Sequence, residues 1–165
     1  MTRAVLSIGS NLGDRLSWLR LAVAGFADVL VAASPVYETK AWGVEDQPDF
    51  LNAVLVVEDP AADAWAWLRR GQKLEQRAGR VRDRRWGPRT LDVDVVTVDG
   101  VTSDHPDLLL PHPGTPERAT VLIPWLAVDP TATLPGHGPV VDLLAALPEM
   151  SFEDVRFRPD LSLRP

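Results

Sequence analysis

The chain has no cysteine. Disulfides, thiolate nucleophiles and cysteine-ligated zinc are thereby excluded. Histidine occurs only three times, too few for a histidine-rich metal site. No run approaches the ~20 apolar residues that cross a bilayer. The opening MTRAVLSIGSNLGDR also lacks the apolar stretch of a secretory leader, so no membrane partner and a cytoplasmic location are expected. Positive charge is in deficit, with 17 basic against 23 acidic residues and a net charge of −6. A general nucleic-acid binder needs a positive face, so no nucleic-acid partner is expected.

What is present is an ordinary globular composition, 45% hydrophobic and 24% charged over 165 residues. That length supports one domain with a core of its own, spanning 1–165 with a C-terminal tail over about 150–165. Residues 3–9, RAVLSIG, read as a buried strand. Asp14 is placed to cap a helix over 14–28, where Leu16, Leu19, Val23, Phe26 and Leu30 recur at helical spacing. DVLVAASPVYET reads as one strand with an edge or bulge at Pro35. FLNAVLVVE, 50–58, is a further strand, and Asp59-Pro60 resembles a helix start. Ala64, Trp67, Leu68, Gly71, Leu74 and Ala78 give that helix its apolar stripe, ending at Gly79. Thr90–Val98 reads as a strand, Glu117–Leu126 as a short helix bent or broken at Pro124, and Val140–Leu147 as a last helix. The tail from Met150 shows little periodicity. The order β-α-β-β-α-β predicts an α+β fold, a mostly antiparallel sheet with helices on its faces.

The strongest chemical signal is RWGPRTLDVDVV, 85–96. Asp92 and Asp94 alternate on a strand and so share a face. Such a pair is either a solvated strand face or a ligand pair for hard divalent cations, which take carboxylates together with substrate phosphates. Arg77, Arg80, Arg82, Arg84, Arg85 and Arg89 fall within thirteen residues. They are either a solvated loop or a phosphate site, since guanidinium forks match phosphate oxygens. Trp86, among them, could pack on a base or on an arginine. GSNLGD, 9–14, sits between a strand and a helix but is no P-loop. Asn52 is a polar amide in an apolar strand, able to give and accept hydrogen bonds with a flat heterocycle. Phe50 shares its face. His112 lies between two prolines in LPHPGTPER, with Arg118 following.

SIGSNLGDR, SPVYET, DQPDFLNAV, GRVR, RWGPRTLDVDV and LPHP…ER occur in this order. Together they resemble the 6-hydroxymethyl-7,8-dihydropterin pyrophosphokinase family over roughly residues 4–130. The resemblance implies a ferredoxin-like fold. It implies a kinase that moves pyrophosphate from MgATP to the pterin hydroxymethyl group and releases AMP, in folate biosynthesis. It implies Asp92 and Asp94 as ligands of two Mg²⁺, and Arg80 and Arg89 beside them as catalytic groups. Thr39, Trp42, Phe50 and Asn52 would bind the pterin. Glu75, Arg80, Arg82, Trp86, Arg89, His112 and Arg118 would serve ATP. The partners implied are those two small molecules, and a monomer is expected. Thr120 stands where the family usually has an aromatic against the pterin, and Gly114 and Pro116 replace a longer polar pair. The alternative these departures raise is a catalytically degenerate, nucleotide-binding relative.

Overall fold

The computed structural model describes residues 2–40, 48–79 and 90–164. β1 (Thr2–Ser10) lies inside the sheet, one strand from its edge. On one side it pairs with β4 (Phe50–Asp59), and on the other with β5 (Asp92–Val98), both antiparallel. The outer side of β4 carries two short strands, β2 (Leu30–Ala33) and β3 (Tyr37–Thr39). The expected single strand over 28–39 is therefore split. Ser34 bends the chain while keeping hold of β4: its amide donates to the Val54 carbonyl at 2.9 Å and its hydroxyl accepts from the Val54 amide at 2.8 Å. Pro35, lacking a donor, takes the kink.

Strand alternation separates two cores. Ala4, Leu6, Ile8, Leu51, Ala53, Leu55, Val93 and Val95 face α1 (Arg15–Gly25) and α2 (Ala64–Arg77). Val5, Val54 and Val96 face α3 (Ala119–Val128). A shift in the β1–β5 register between Val5 and Leu6 marks a bulge at Val96, beyond which Val98 faces the first core with Ala4.

Asp14 caps α1 as expected, accepting from the Ser17 amide. The second helix starts later than Asp59-Pro60. Asp59 is still in β4, paired with Thr2, and its side chain closes a turn onto the Ala61 amide. The N-cap is Asp63, which accepts from the Ala66 amide at 2.8 Å. The extra residues carry the chain off the strand end before the helix doubles back.

α3 is not broken at Pro124, which is buried within it; the cost is the missing amide bond to the Thr120 carbonyl. A 3-10 turn, Thr115–Glu117, precedes it and contains Pro116, with Gly114 at its start. Two hairpins were not expected: β6 (Ser103–His105) with β7 (Leu108–Leu110), and β8 (Thr133–Leu134) with β9 (Gly138–Pro139). α4 (Val140–Ala145) joins the second core through Val140. The tail is also structured: α5 (Met150–Glu153) leads into β10 (Val155–Phe157), which pairs with β3 as the outermost strand. Among the described residues no helix is long and apolar enough to cross a membrane.

Candidate active site

Among the described residues, α3 covers only part of its face of the sheet. Beneath it the strands carry Val5, Val54 and Val96. Beyond it, the same strands turn polar. Ser7 pairs with Asp94, and Gly9 pairs with both Asp92 and Asn52. Asn52 in turn pairs with Tyr37, and Phe50 with Thr39. One row across the sheet thus runs Tyr37, Asn52, Gly9, Asp92. Directly paired residues share a face, so the amide, the aromatic ring and both carboxylates look out of the same uncovered half.

Asn52 is held by its Nδ2, which donates to Thr39 Oγ1 at 2.6 Å. The place of its amide depends on Gly9 having no side chain: a Cβ there would lie 2.9 Å from Asn52 Oδ1 and 3.6 Å from Phe50 Cδ1. In the sequence Gly9 is only the residue where the first strand meets the GSNLGD segment. Its function as a space left for Asn52 depends on a pairing partner 43 positions away, which no local pattern records.

Asp92 and Asp94 are half-buried. The strand under them is fixed from behind. Gly71 lets α2 approach closely; a Cβ there would come within 2.8 Å of Val93 Cγ1. Glu75, one turn on, is 3% exposed and its Oε2 accepts from the Val93 amide at 2.9 Å. Glu75 therefore holds the amide that lies between the two aspartates.

His112 is tied to the same strand, its amide donating to the Val96 carbonyl at 2.9 Å. Its ring Nδ1 is 2.9 Å from the Pro113 carbonyl; since that oxygen only accepts, Nδ1 carries the proton. Burial holds this imidazole below its ordinary pKa. The Arg118 charge acts the same way, against opposing pulls from the Pro113 carbonyl and Asp92. The structure so brings Asp92, His112 and Arg118 within electrostatic reach of one another. A cleft opens beside β5, walled by Leu68, Leu108, Leu109 and Pro106 and bordered by Asp94, Asp107 and His112. The β6–β7 hairpin that supplies its outer wall was not legible in the sequence.

Thr39, Phe50, Asn52, Asp92, Asp94, His112 and Arg118 are thus gathered at one end of the sheet. Thr120 is half-buried in the first turn of α3. Trp42, Arg80, Arg82, Trp86 and Arg89 lie outside the described residues, as do Arg84 and Arg85. Among the described residues no group of three or more His, Cys, Asp or Glu side chains could hold a metal by itself. Among the described residues, the paired carboxylates on the open face are Asp92 and Asp94, both oxygen donors. The pair fits Mg²⁺, which usually takes one or two carboxylates and completes its shell from water and phosphate.

Comparison with known proteins gives a consistent result. The family model described as 7,8-dihydro-6-hydroxymethylpterin-pyrophosphokinase (HPPK) matches residues 5–130. A Mycobacterium tuberculosis protein named 2-amino-4-hydroxy-6-hydroxymethyldihydropteridine pyrophosphokinase is 51% identical, over 99% of this chain and 94% of its own. Proteins of the same name from Mycobacterium leprae and Methylorubrum extorquens are 52% and 39% identical, each over 94% of this chain. Among solved structures, Plasmodium falciparum HPPK-DHPS with pterin and p-hydroxybenzoate aligns over 88% of this chain with a TM-score of 0.64 at 13% identity. This chain spans 42% of that longer one, and the likeness is one of fold. With a model matched over most of its length and relatives of half-identical sequence over nearly all of it, the chain belongs to the 7,8-dihydro-6-hydroxymethylpterin-pyrophosphokinase family.

Proposed function

We propose that this chain transfers the pyrophosphoryl group of ATP to the hydroxymethyl group of 6-hydroxymethyl-7,8-dihydropterin, in folate biosynthesis, as a cytoplasmic monomer. An ATP-dependent pyrophosphokinase activity accords with its family. The observation that carries the site assignment is the row Asn52, Gly9, Asp92 across three adjacent strands. Two strand spacings separate the amide from the carboxylate, ~9.5 Å along the sheet. A bicyclic heterocycle read by Asn52 fits that span, with its hydroxymethyl arm toward the aspartates.

In this reading Asn52 meets the pterin edge with its carbonyl oxygen and its second N–H, while Thr39 holds the amide in plane. Phe50 stacks on the ring, and the family resemblance gives Trp42 to the same ligand. Asp92 and Asp94 would hold two Mg²⁺. Bound there, magnesium supplies neutralising charge to the triphosphate and orients it. The apolar cleft by Leu68 and Leu108 takes the nucleotide base, with the neutral His112 ring at its border. Arg118 faces the phosphate oxygens, and the family resemblance gives Arg80, Arg82, Trp86 and Arg89 to the same nucleotide. The pterin hydroxyl oxygen bonds to the β-phosphorus and loses its proton. The bond from that phosphorus to the oxygen bridging the α-phosphate breaks, and AMP leaves. Positioning and charge complementarity do the work; no covalent enzyme intermediate is needed.

The test is AMP formation from MgATP with and without the pterin, in the wild type and in Asp92→Asn and Asp94→Asn. AMP that depends on pterin in the wild type, and that is lost in both variants at unchanged melting temperature, is the expected result. ATP binding without pterin-dependent AMP would leave only the degenerate, nucleotide-binding relative.

A further inference from the structure

The C-terminal strand carries the inference, and it rests on the pterin reading above. Glu38 lies in β3 between Tyr37 and Thr39, with its side chain on the α1 side of the sheet, behind the open face. The residue is 9% exposed. Three guanidinium groups from distant parts of the chain converge on it. Arg15 Nη1 reaches Glu38 Oε2 at 2.7 Å, while Arg156 Nη2 and Arg158 Nη1 reach Oε1 at 3.1 and 2.8 Å. Burial raises the Glu38 pKa, but the bonds and charges of Arg15 and Arg158 outweigh it and leave the carboxyl below its ordinary value.

Two of the three arginines do more than neutralise Glu38. Arg15 also donates to the Asp49 carbonyl at 2.8 Å, and Arg156 also donates to Asp49 Oδ2 at 2.8 Å. Glu38 immediately precedes Thr39, and Asp49 immediately precedes Phe50. Each arginine therefore spans the end of β3 and the start of β4, from behind, at the two residues whose neighbours bind the pterin. A guanidinium presents its donors in a fixed fork, so it sets a separation as well as supplying charge. Arg158 is itself braced by a two-pronged bond to Asp160, at 3.0 and 2.8 Å. The Arg158 amide donates to the Val36 carbonyl, continuing the β10–β3 pairing.

We infer that Glu38, Arg15 and Arg156 form a clasp that sets Thr39, the partner of the Asn52 amide, against Asn52 and Phe50, making Glu38 and Arg156 positioning residues for the pterin. The tail from residue 150 thereby has a role, as the carrier of Arg156 and Arg158.

Steady-state constants for both substrates are measured in Glu38→Gln, Arg156→Ala, Arg156→Lys and the control Arg3→Ala. Arg3 pairs with Glu58 at the other end of the same sheet. The expected result is a pterin KM raised about tenfold in Glu38→Gln, one factor of ten being 1.4 kcal/mol. Arg156→Ala should show a smaller rise, partly restored in Arg156→Lys. The ATP KM and the kcat at saturating pterin should stay within about twofold. The Asn52 side-chain amide resonances, read by NMR without turnover, should shift in Arg156→Ala and not in Arg3→Ala. Constants for pterin and ATP moving together, a fall in kcat alone, or Asn52 resonances unmoved would each overturn the clasp. Should Glu38→Gln not fold, the exposed Arg156 carries the test alone. A wild type without pterin-dependent AMP would count against the pterin reading instead, and the Asn52 resonances would still decide the clasp.

Discussion

Replacing Gly9 by alanine adds one methyl group to the open face of the sheet, between the carboxylates and the amide. The new carbon would sit 2.9 Å from Asn52 Oδ1. A comfortable contact needs about 3.5 Å, so the amide must retreat by about half an ångström. It is not free to do so in place, because its Nδ2 is bonded to Thr39 Oγ1 at 2.6 Å. Turning the amide instead misaligns both groups it offers the pterin. Net hydrogen bonds of about 1 kcal/mol each put the loss near 1–3 kcal/mol. That is roughly a 5- to 150-fold fall in kcat/KM for the pterin. Folding should suffer less. Alanine restricts the unfolded chain and returns about 0.4–1 kcal/mol, against a clash borne by one movable amide. Melting should therefore shift by no more than ~4 °C. The assay varies pterin at saturating ATP and then ATP at saturating pterin, beside a thermal melt. A Gly9→Ala protein with wild-type kcat/KM for the pterin would refute the placement of Asn52. A fall shared equally by both substrates would refute it too.

Glu75→Leu leaves the Val93 amide without its acceptor in a buried position, at a cost of about 1–3 kcal/mol. The melting temperature should drop by ~3–10 °C, and AMP formation should fall because β5 loosens between Asp92 and Asp94. Glu75→Gln, which still offers a carbonyl oxygen, should keep most of both; equal losses in the two variants would show that the bond to Val93 is not what matters. The Glu38 carboxyl, which the bonds and charges of Arg15 and Arg158 hold below the ordinary glutamate value despite its burial, links folding to pH. Below that value the unfolded chain binds the proton and the folded one resists it, so stability from this group is full above about pH 5. It is lost as pH falls through the lowered folded-state value. Denaturant melts from pH 7 to pH 3 should therefore fall more steeply for the wild type than for Glu38→Gln, and parallel curves would contradict the assignment.

Much of the scaffold was legible because it is written in local pattern. β1, β4 and β5 are alternating or continuous apolar runs, and α1 and α2 carry apolar stripes. The cap at Asp14 is a local hydrogen bond three residues long. What failed was what depends on partners. Asp59 looks like a cap but is held in the sheet by Thr2. The 28–39 run looks like one strand but is folded at Ser34 to suit Val54. β6, β7 and β10 are three residues each, too short to show a period.

The same division runs through the site. The sequence by itself determined that Asp92 and Asp94 share a face, because strand alternation has period two. It also marked Asn52 as a polar intrusion in an apolar strand, and the order of its motifs pointed to the pterin kinases. The tertiary structure alone decided that Gly9 stands between Asn52 and Asp92, that Glu75 grips the β5 amide between the two aspartates, and that an apolar cleft borders Asp94. It also decided that Glu38, an ordinary surface charge by composition, meets Arg156 across 118 positions. Chain-local forces fix which side of a strand a residue faces; only packing fixes what comes to stand beside it.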